Sequence, residues 1–325
     1  FPNATFTNAT VTMSRNGAPV PLQILPMQQG FGENTIVWEP QATAGPTASR
    51  EPREIDVTTR VTVSNVVINN VAREFTYNVI SFNPAEAATP AITAAGTVNA
   101  GSYQGGTVSP GEILVVFGQN IGPGNLAQFQ LQNGRLPTQL GGTRILFDGA
   151  PAPMIYTVAG QSSVIAPFSL AGKQNVTIRV EVNGVLSNAV NLPVAPTKPG
   201  IFTLDQTGSG PGAILNQDFS VNGPANRARR GSVVQIFMTG GGVLSTPGVD
   251  GAVSPPVLNP LAAQVSVTIG GAAAQVQYAG VAPALLYGVV QVNVFVPQQA
   301  TSGPNALRIT INGVTSPAGP TVSVE

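Results

Sequence analysis

Histidine and cysteine are both absent from the 325 residues, and only 9% of the chain is charged. Without cysteine there is neither a disulfide framework nor a thiolate metal site. Without histidine, mechanisms that need imidazole as base, proton shuttle or ligand are excluded. An average soluble domain carries roughly 25% charge, so this surface must be polar but mostly uncharged. The 14 basic and 14 acidic residues cancel, leaving no long-range field to draw the chain onto nucleic acid or anionic lipid. No run approaches the ~20 continuous apolar residues of a membrane helix. The chain starts at Phe1 without an apolar leader, so it reads as a mature or trimmed form of an exported protein.

What the chain has is turn residues and short alternating runs. Its 37 glycines and 29 prolines interrupt it too often for long helices. "NVTIRVEVNG" places Val176, Ile178, Val180 and Val182 on one face and Thr177, Arg179 and Glu181 on the other; "VVQVNVFVP" and "NALRITINGV" alternate in the same way. Period two broken by turns about every 8 to 12 residues predicts an all-β chain of sandwiches. Pro/Ala-rich joints at "FNPAEAATPAITAAG" (82–96) and "VAPTKPGIF" (194–202) cut it into pieces near the ~100 residues of an immunoglobulin-like sandwich. The expectation is three tandem immunoglobulin-like β-sandwich domains, over 1–86, 92–196 and 197–325, in an elongated rod with semi-rigid linkers.

The second and third pieces repeat each other. "SPGEILVVFGQNIG" parallels "RRGSVVQIFMTGGG", matching Gly111 with Gly231 and Phe117 with Phe237; further on, Gly149 matches Gly271 and Gly184 matches Gly313. The offset drifts from 120 to 122 to 129, as insertions confined to loops would make it. Each repeat contains a hairpin, "GGTRILFDGAPAPMIYTVAGQ" in one and "AQVSVTIGGAAAQVQYAGV" in the other.

"AGTVNAGSYQGGTVSPGEILVVFGQNIGP", "ILNQDFSVNGPANRARRGSVVQIFMTGGG" and "YGVVQVNVFVP" resemble the Solibacter-type uncharacterised C-terminal domain family over residues 92–325. That resemblance implies secretion from a bacterium and immunoglobulin-like sandwiches, and it brings no catalytic residues. "ATVTMSRNGAPVPLQI", "GENTIVWEP" and "REFTYNVISFNP" are similar to the immunoglobulin-like segment that follows a CAP-type domain in bacterial exported proteins, which implies a further domain upstream. Within that segment Asn16-Gly17 predicts a tight hairpin.

Chemistry is sparse. Glu112, Asp148, Glu181, Asp205, Asp218 and Asp250 each stand alone in sequence and read as turn or solvated carboxylates. A glycosidase pair would have to be assembled from distant strands. "SREPREID", with Arg50, Glu51, Arg53, Glu54 and Asp56, reads as a self-paired loop or edge before a strand. Arg227, Arg229 and Arg230 in "NRARRG" are the candidate polar contact, for an anionic glycan or a neighbouring subunit. Asn216, Asp218, Asn222 and Asn226 offer oxygens at loop spacing, but a single charge among them makes turn chemistry the expectation over calcium. The sequons at Asn3, Asn8 and Asn175 read as plain strand and turn residues. The glycine runs lack the ending of a phosphate loop, and Trp38 reads as core. Lys173 and Lys198 are the lysines of the chain. A Lys–Asn isopeptide would need one of them buried beside a carboxylate, and their Gly and Pro neighbours place both in loops.

The expectation is therefore a non-catalytic secreted structural or adhesive protein, with no cofactor and no metal, at the cell surface or outside it. Its partners would be copies of itself or a surface polysaccharide. Few charges guard its sheet edges, and "FPNATFTNATVTM" looks like a strand without a partner, so strand donation into a filament is expected, with Phe6, Val11 and Met13 as the subunit-contact strand. The alternative is a glycan-binding appendage of a larger secreted protein.

Overall fold

The computed structural model describes residues 89–325 throughout and, before them, the strands Ala4–Thr5, Thr10–Arg15, Ala18–Val20, Leu22–Ile24, Trp38–Pro40, Pro52–Ile68 and Val71–Pro84. The chain divides into one unit over Phe1–Ala88 and another over Thr89–Glu325. The joint expected at 82–96 contains that division. Across 194–202 no division falls, and the two sandwiches on either side pack into one body instead of forming separate beads.

In the first unit Pro52–Ile68 pairs along its length with Val71–Pro84 and, on its other edge, with Ala4–Thr5 and Thr10–Arg15. Arg15 stands opposite Ala18, the register that a turn at Asn16-Gly17 requires. Thr10–Arg15 is thus not a strand without a partner. Val11 is in register with Val63, and Met13 with Val61 on one side and Val20 on the other. One edge is taken up along its whole length by Pro52–Ile68, which is long enough to pair with two successive N-terminal segments, and the other at Met13–Arg15 by Ala18–Val20. Phe6 lies outside the described residues, as do Arg50 and Glu51. Arg53, Glu54 and Asp56 fall within the strand Pro52–Ile68, not in a loop before it. Trp38 pairs with Ile24 in a small separate sheet.

The second unit holds two sandwiches whose main strands correspond, although Ala127–Gln128 of one and Gly210–Pro211 of the other have no counterpart strand. In the middle sandwich one sheet joins Ala127–Gln128, Met154–Val158, Gln161–Ile165, Ile113–Gln119 and Ala91–Asn99; the other joins Ala150–Pro151, Thr143–Phe147, Asn175–Val182 and Val185–Leu186, with Val190–Pro193 also on Asn175–Val182. In the C-terminal sandwich Val276–Val281, Val290–Phe295 and Val233–Thr239 repeat the first sheet, and Ala272–Ala274, Val265–Ile269, Gly303–Ile311 and Val314–Thr315 repeat the second. The alternation decides which face is buried: Val176, Ile178 and Val180 are in the middle core, with Val182 half-buried, and Val290, Val292, Val294, Leu307, Ile309 and Ile311 are in the C-terminal core.

The matched glycines mark matched turns. Asp148-Gly149, Gly270-Gly271, Asn183-Gly184 and Asn312-Gly313 all have positive φ at both positions, as type I′ hairpins need. Ser187 and Ser316 repeat as well, each accepting a strand N–H at its hydroxyl, from Val180 at 2.9 Å and from Ile309 at 3.1 Å. The repeated segments are not plain hairpins, however. After the turn, Ala150–Pro151 and Ala272–Ala274 pair back on the strand before them, and the chain then crosses to the opposite sheet as Met154–Val158 or Val276–Val281. Both crossing strands shift register at the same place, between Met154 and Tyr156 and between Val276 and Tyr278. A chain segment that passes from one sheet to the other closes the corner of each sandwich.

A smaller cluster joins the two cores: Ile113, Leu136 and Ile165 of the middle sandwich pack with Phe202, Leu286 and Val289 of the C-terminal one. Main-chain bonds cross there too, from Leu136 N–H to Gly251 O (2.8 Å) and from Val253 N–H to Gly134 O (3.0 Å). The Ile113 N–H donates to Thr239 Oγ1, whose hydroxyl donates to Gly288 O. Apolar burial reinforced by directional bonds holds the pair as one body.

Candidate functional site: two equivalent ends of the repeat

A similar loop, with a turn one residue shorter in the C-terminal copy, begins one end of each sandwich. In the middle sandwich Asn99 N–H donates to Gln104 O and Tyr103 N–H to Asn99 O, with Tyr103 at φ 55. In the C-terminal sandwich Asn216 N–H donates to Ser220 O and Phe219 N–H to Asn216 O, with Phe219 at φ 65. Parallel bridges between Val108 and Val194 and between Ala228 and Val324 fix the rest of the equivalence. Ala195 N–H donates to Val108 O as Glu325 N–H donates to Ala228 O.

In the middle sandwich this end is closed. Glu112 is fully buried. Its Oε2 accepts from the Ser109 N–H (2.6 Å) and hydroxyl (3.2 Å), and its Oε1 from Asn99 Nδ2 (2.9 Å). Lys198, from the segment leading into the C-terminal sandwich, brings Nζ to 3.7 Å from the same Oε1 and donates to Thr107 O at 2.6 Å. Asn99 Nδ2 also donates to Lys198 O (2.9 Å), while Oδ1 accepts from the N–H groups of Gly101 (2.8 Å) and Ser102 (3.0 Å). Burial pushes the Glu112 carboxyl up to about 7, outweighing Lys198 and the hydrogen bonds, which pull it down. Burial likewise pushes the Lys198 amine down. A Cβ at Gly200 would stand 1.9 Å from Asn99 Oδ1, so only glycine lets the linker pass this close.

Lys198 thus overturns the expectation that both lysines lie in loops away from buried carboxylates. Nothing in the sequence placed Glu112 beside it, since the two are far apart in the chain. Lys173 does behave as a surface lysine, in a 2.7 Å ion pair with Asp148.

The C-terminal end is open. A cleft of about 560 Å³ is lined by Asn216, Gln217, Asp218, Asn226, Arg227, Arg229 and Ser232, with Glu325. Of the three arginines, Arg227 and Arg229 meet there; Arg230 turns aside to Ala300 O, at 2.7 Å from Nε. Arg229 Nε lies 3.6 Å from Glu325 and faces Asp218, whose carboxyl is held below its ordinary range first by the Ser220 hydroxyl. Phe219, next in sequence to Asp218, is 71% exposed. Sequence reasoning missed it because an aromatic inside a turn-rich loop carries no periodic signal. The amides offered for calcium are satisfied within the loop: Asn222 Nδ2 donates to Asn216 Oδ1 (2.9 Å) and Asn226 Nδ2 to Ser220 Oγ (2.7 Å).

No family model matches the chain, and no curated protein matches its sequence. Among solved structures it is similar to SGBP-B from a complex xyloglucan utilization locus in Bacteroides uniformis, at 14% identity and TM-score 0.23 over 72% of this chain and 49% of that one. It is similar too to the Bacteroides ovatus mixed-linkage glucan SGBP-B in complex with a heptasaccharide, at 11% identity and TM-score 0.30 over 98% of this chain and 60% of that one. Titin domains I67–I69 match at 7% identity and TM-score 0.21 over 98% and 89%. The chain spans about half to 60% of the two SGBP-B proteins, and superpositions this partial carry no argument about its function.

The other acids singled out in the sequence of the second unit are occupied one by one. Glu181 pairs with Arg144, and Asp250 accepts from the Phe168 N–H. Asp205 is drawn below its ordinary range first by Thr203 and then by Thr207. No group of three or more metal-type side chains occurs among the described residues, and none of their helices is long and apolar enough to cross a membrane. Glu112 carries a strongly raised carboxyl pKa, as a general acid would, but its full burial leaves no path for a substrate.

Proposed function

We propose that this is a non-catalytic, exported bacterial binding protein of the Solibacter-type domain family, whose C-terminal sandwich grips a neutral polysaccharide in the Asn216–Glu325 cleft. The observation that carries this reading is Phe219: an aromatic side chain, 71% exposed, on a backbone at φ 65. A non-glycine residue in that region costs of order 1 kcal/mol or more, and a ring this exposed recovers little from burial. A ring presented to solvent, one residue in sequence from the Asp218 that lines the cleft, suits a pyranose, which stacks its C–H face on an aromatic and offers hydroxyls at its rim. The two cleft arginines are matched by Asp218 and Glu325, so a neutral chain fits better than a polyanion. Asp218 is held ionised, which leaves it unsuited to be the general acid of a glycosidase.

A filament built by strand donation has less support, since Thr10–Arg15 is already paired within the chain along one edge and at Met13–Arg15 on the other. Affinity electrophoresis of the full chain through gels containing neutral or acidic polysaccharides tests the reading. Retardation by at least one neutral polysaccharide is expected, reduced tenfold or more in Phe219→Ala and in Arg229→Ala. Free migration in every gel, or retardation that both variants retain, overturns it.

A further inference from the structure

We propose that Lys198 and Asn99 are joined by an intramolecular amide bond, formed spontaneously beside Glu112 with release of ammonia, which locks the segment entering the C-terminal sandwich onto the middle one. Three features of the closed end point to this chemistry. Both nitrogens that must change partners face one carboxylate oxygen: Asn99 Nδ2 at 2.9 Å and Lys198 Nζ at 3.7 Å from Glu112 Oε1. The Asn99 carbonyl oxygen is held by the N–H groups of Gly101 and Ser102, at 2.8 and 3.0 Å, donors placed to stabilise negative charge on that atom. The site is largely shielded from water, with Asn99 and Glu112 fully buried and the Lys198 side chain 12% exposed.

The step balances without a further reactant. The neutral Lys198 amine turns from the Thr107 carbonyl and its lone pair forms the Nζ–Cγ bond, while the carbonyl electron pair moves onto Oδ1 between the two N–H groups. Glu112 takes one proton from Nζ and delivers it to Nδ2. The Cγ–Nδ2 bond then breaks, ammonia leaves, and the carbonyl reforms. Burial favours the uncharged amine and a carboxyl that gains and loses a proton near neutral pH, the directions in which both groups are moved here. A purely structural buried ion pair would need neither a shared oxygen for the two nitrogens nor a polarised amide carbonyl.

Intact-mass spectrometry of the full chain, followed by peptide mapping, decides the matter. The wild-type protein is expected to be lighter than its sequence by one ammonia, and its digest to contain a branched peptide joining the Asn99 and Lys198 segments. Lys198→Arg and Glu112→Gln are expected at the full mass of their sequences. A wild-type chain at full mass overturns the proposal whatever the variants do. So does an ammonia loss confined to one linear peptide, or a loss of water that joins Lys198 to Glu112.

Discussion

The closed end of the middle sandwich and the open end of the C-terminal sandwich start from one loop design and finish as opposites. Asn99 and Asn216 both end a β-segment in a turn whose last residue is an aromatic at positive φ. Where the middle sandwich has Glu112, the repeat has Ser232; where it continues through Ala195 to Lys198, the repeat has Glu325. The first end spends its polar groups on one another and is covered by its neighbour. The second holds a similar backbone, bonds its amides within the loop, and leaves Asp218, Arg227, Arg229 and Glu325 lining a cleft. Duplication supplied the frame, and a few side chains decided whether the frame became an interface or a site.

The comparison breaks most visibly at its central pair. Glu112→Ala strands the Lys198 amine, the Asn99 amide and the Ser109 N–H in a buried space, which is expected to cost about 3–5 kcal/mol. Ser232→Ala removes a half-exposed hydroxyl bound to Arg229 O and is expected to cost under about 1 kcal/mol. Thermal and urea unfolding of the full chain measures both; equal costs would mean that the two ends are not energetically distinct.

The next effect is on pH dependence. The Glu112 carboxyl is raised from 4.5 to about 7, so across that window the folded state binds more protons than the unfolded one. Its contribution to stability is therefore complete below about pH 4.5 and declines as pH rises to about 7, by on the order of 3 kcal/mol. Subtracting the curve of Glu112→Gln, which does not titrate there, isolates this slope from the opposite slopes of carboxyls held low, such as Asp148. A flat difference curve would remove the buried carboxyl from the account of the closed end.

The smallest effect belongs to the aromatic of the open end. Phe219→Gly relieves the positive φ and surrenders little packing, so it is expected to stabilise the chain by about 0.5–1 kcal/mol. Tyr103→Gly relieves the same strain at the closed end but deletes a half-buried ring, so it is expected to gain less or to lose. Matched unfolding midpoints compare the two, and a Phe219→Gly variant less stable than wild type would show that the ring is retained for packing.

Much of the frame was legible in the residues. Val176, Ile178 and Val180 could be assigned to a core because period two fixes which face a strand buries. Gly149, Gly184, Gly271 and Gly313 could be assigned to turns because positive φ at consecutive positions is a local requirement. The sheet-crossing of Met154–Val158 was not legible, because alternation says which face is inward and not which sheet a strand joins. The arginines show the same limit: three neighbours in sequence are divided by the fold, with Arg230 on Ala300 and the other two at the cleft.

By itself the sequence determined the all-β class, the duplication and the absence of imidazole and thiol chemistry, since composition and short-range periodicity act through local backbone and solvation preferences. Only the tertiary structure decided that the two repeats form one body, that Thr10–Arg15 is paired within its own chain, and that Asn99, Glu112 and Lys198 share one buried space. Those outcomes depend on contacts between residues far apart in the chain, and neither periodicity nor turn chemistry carries information over that distance.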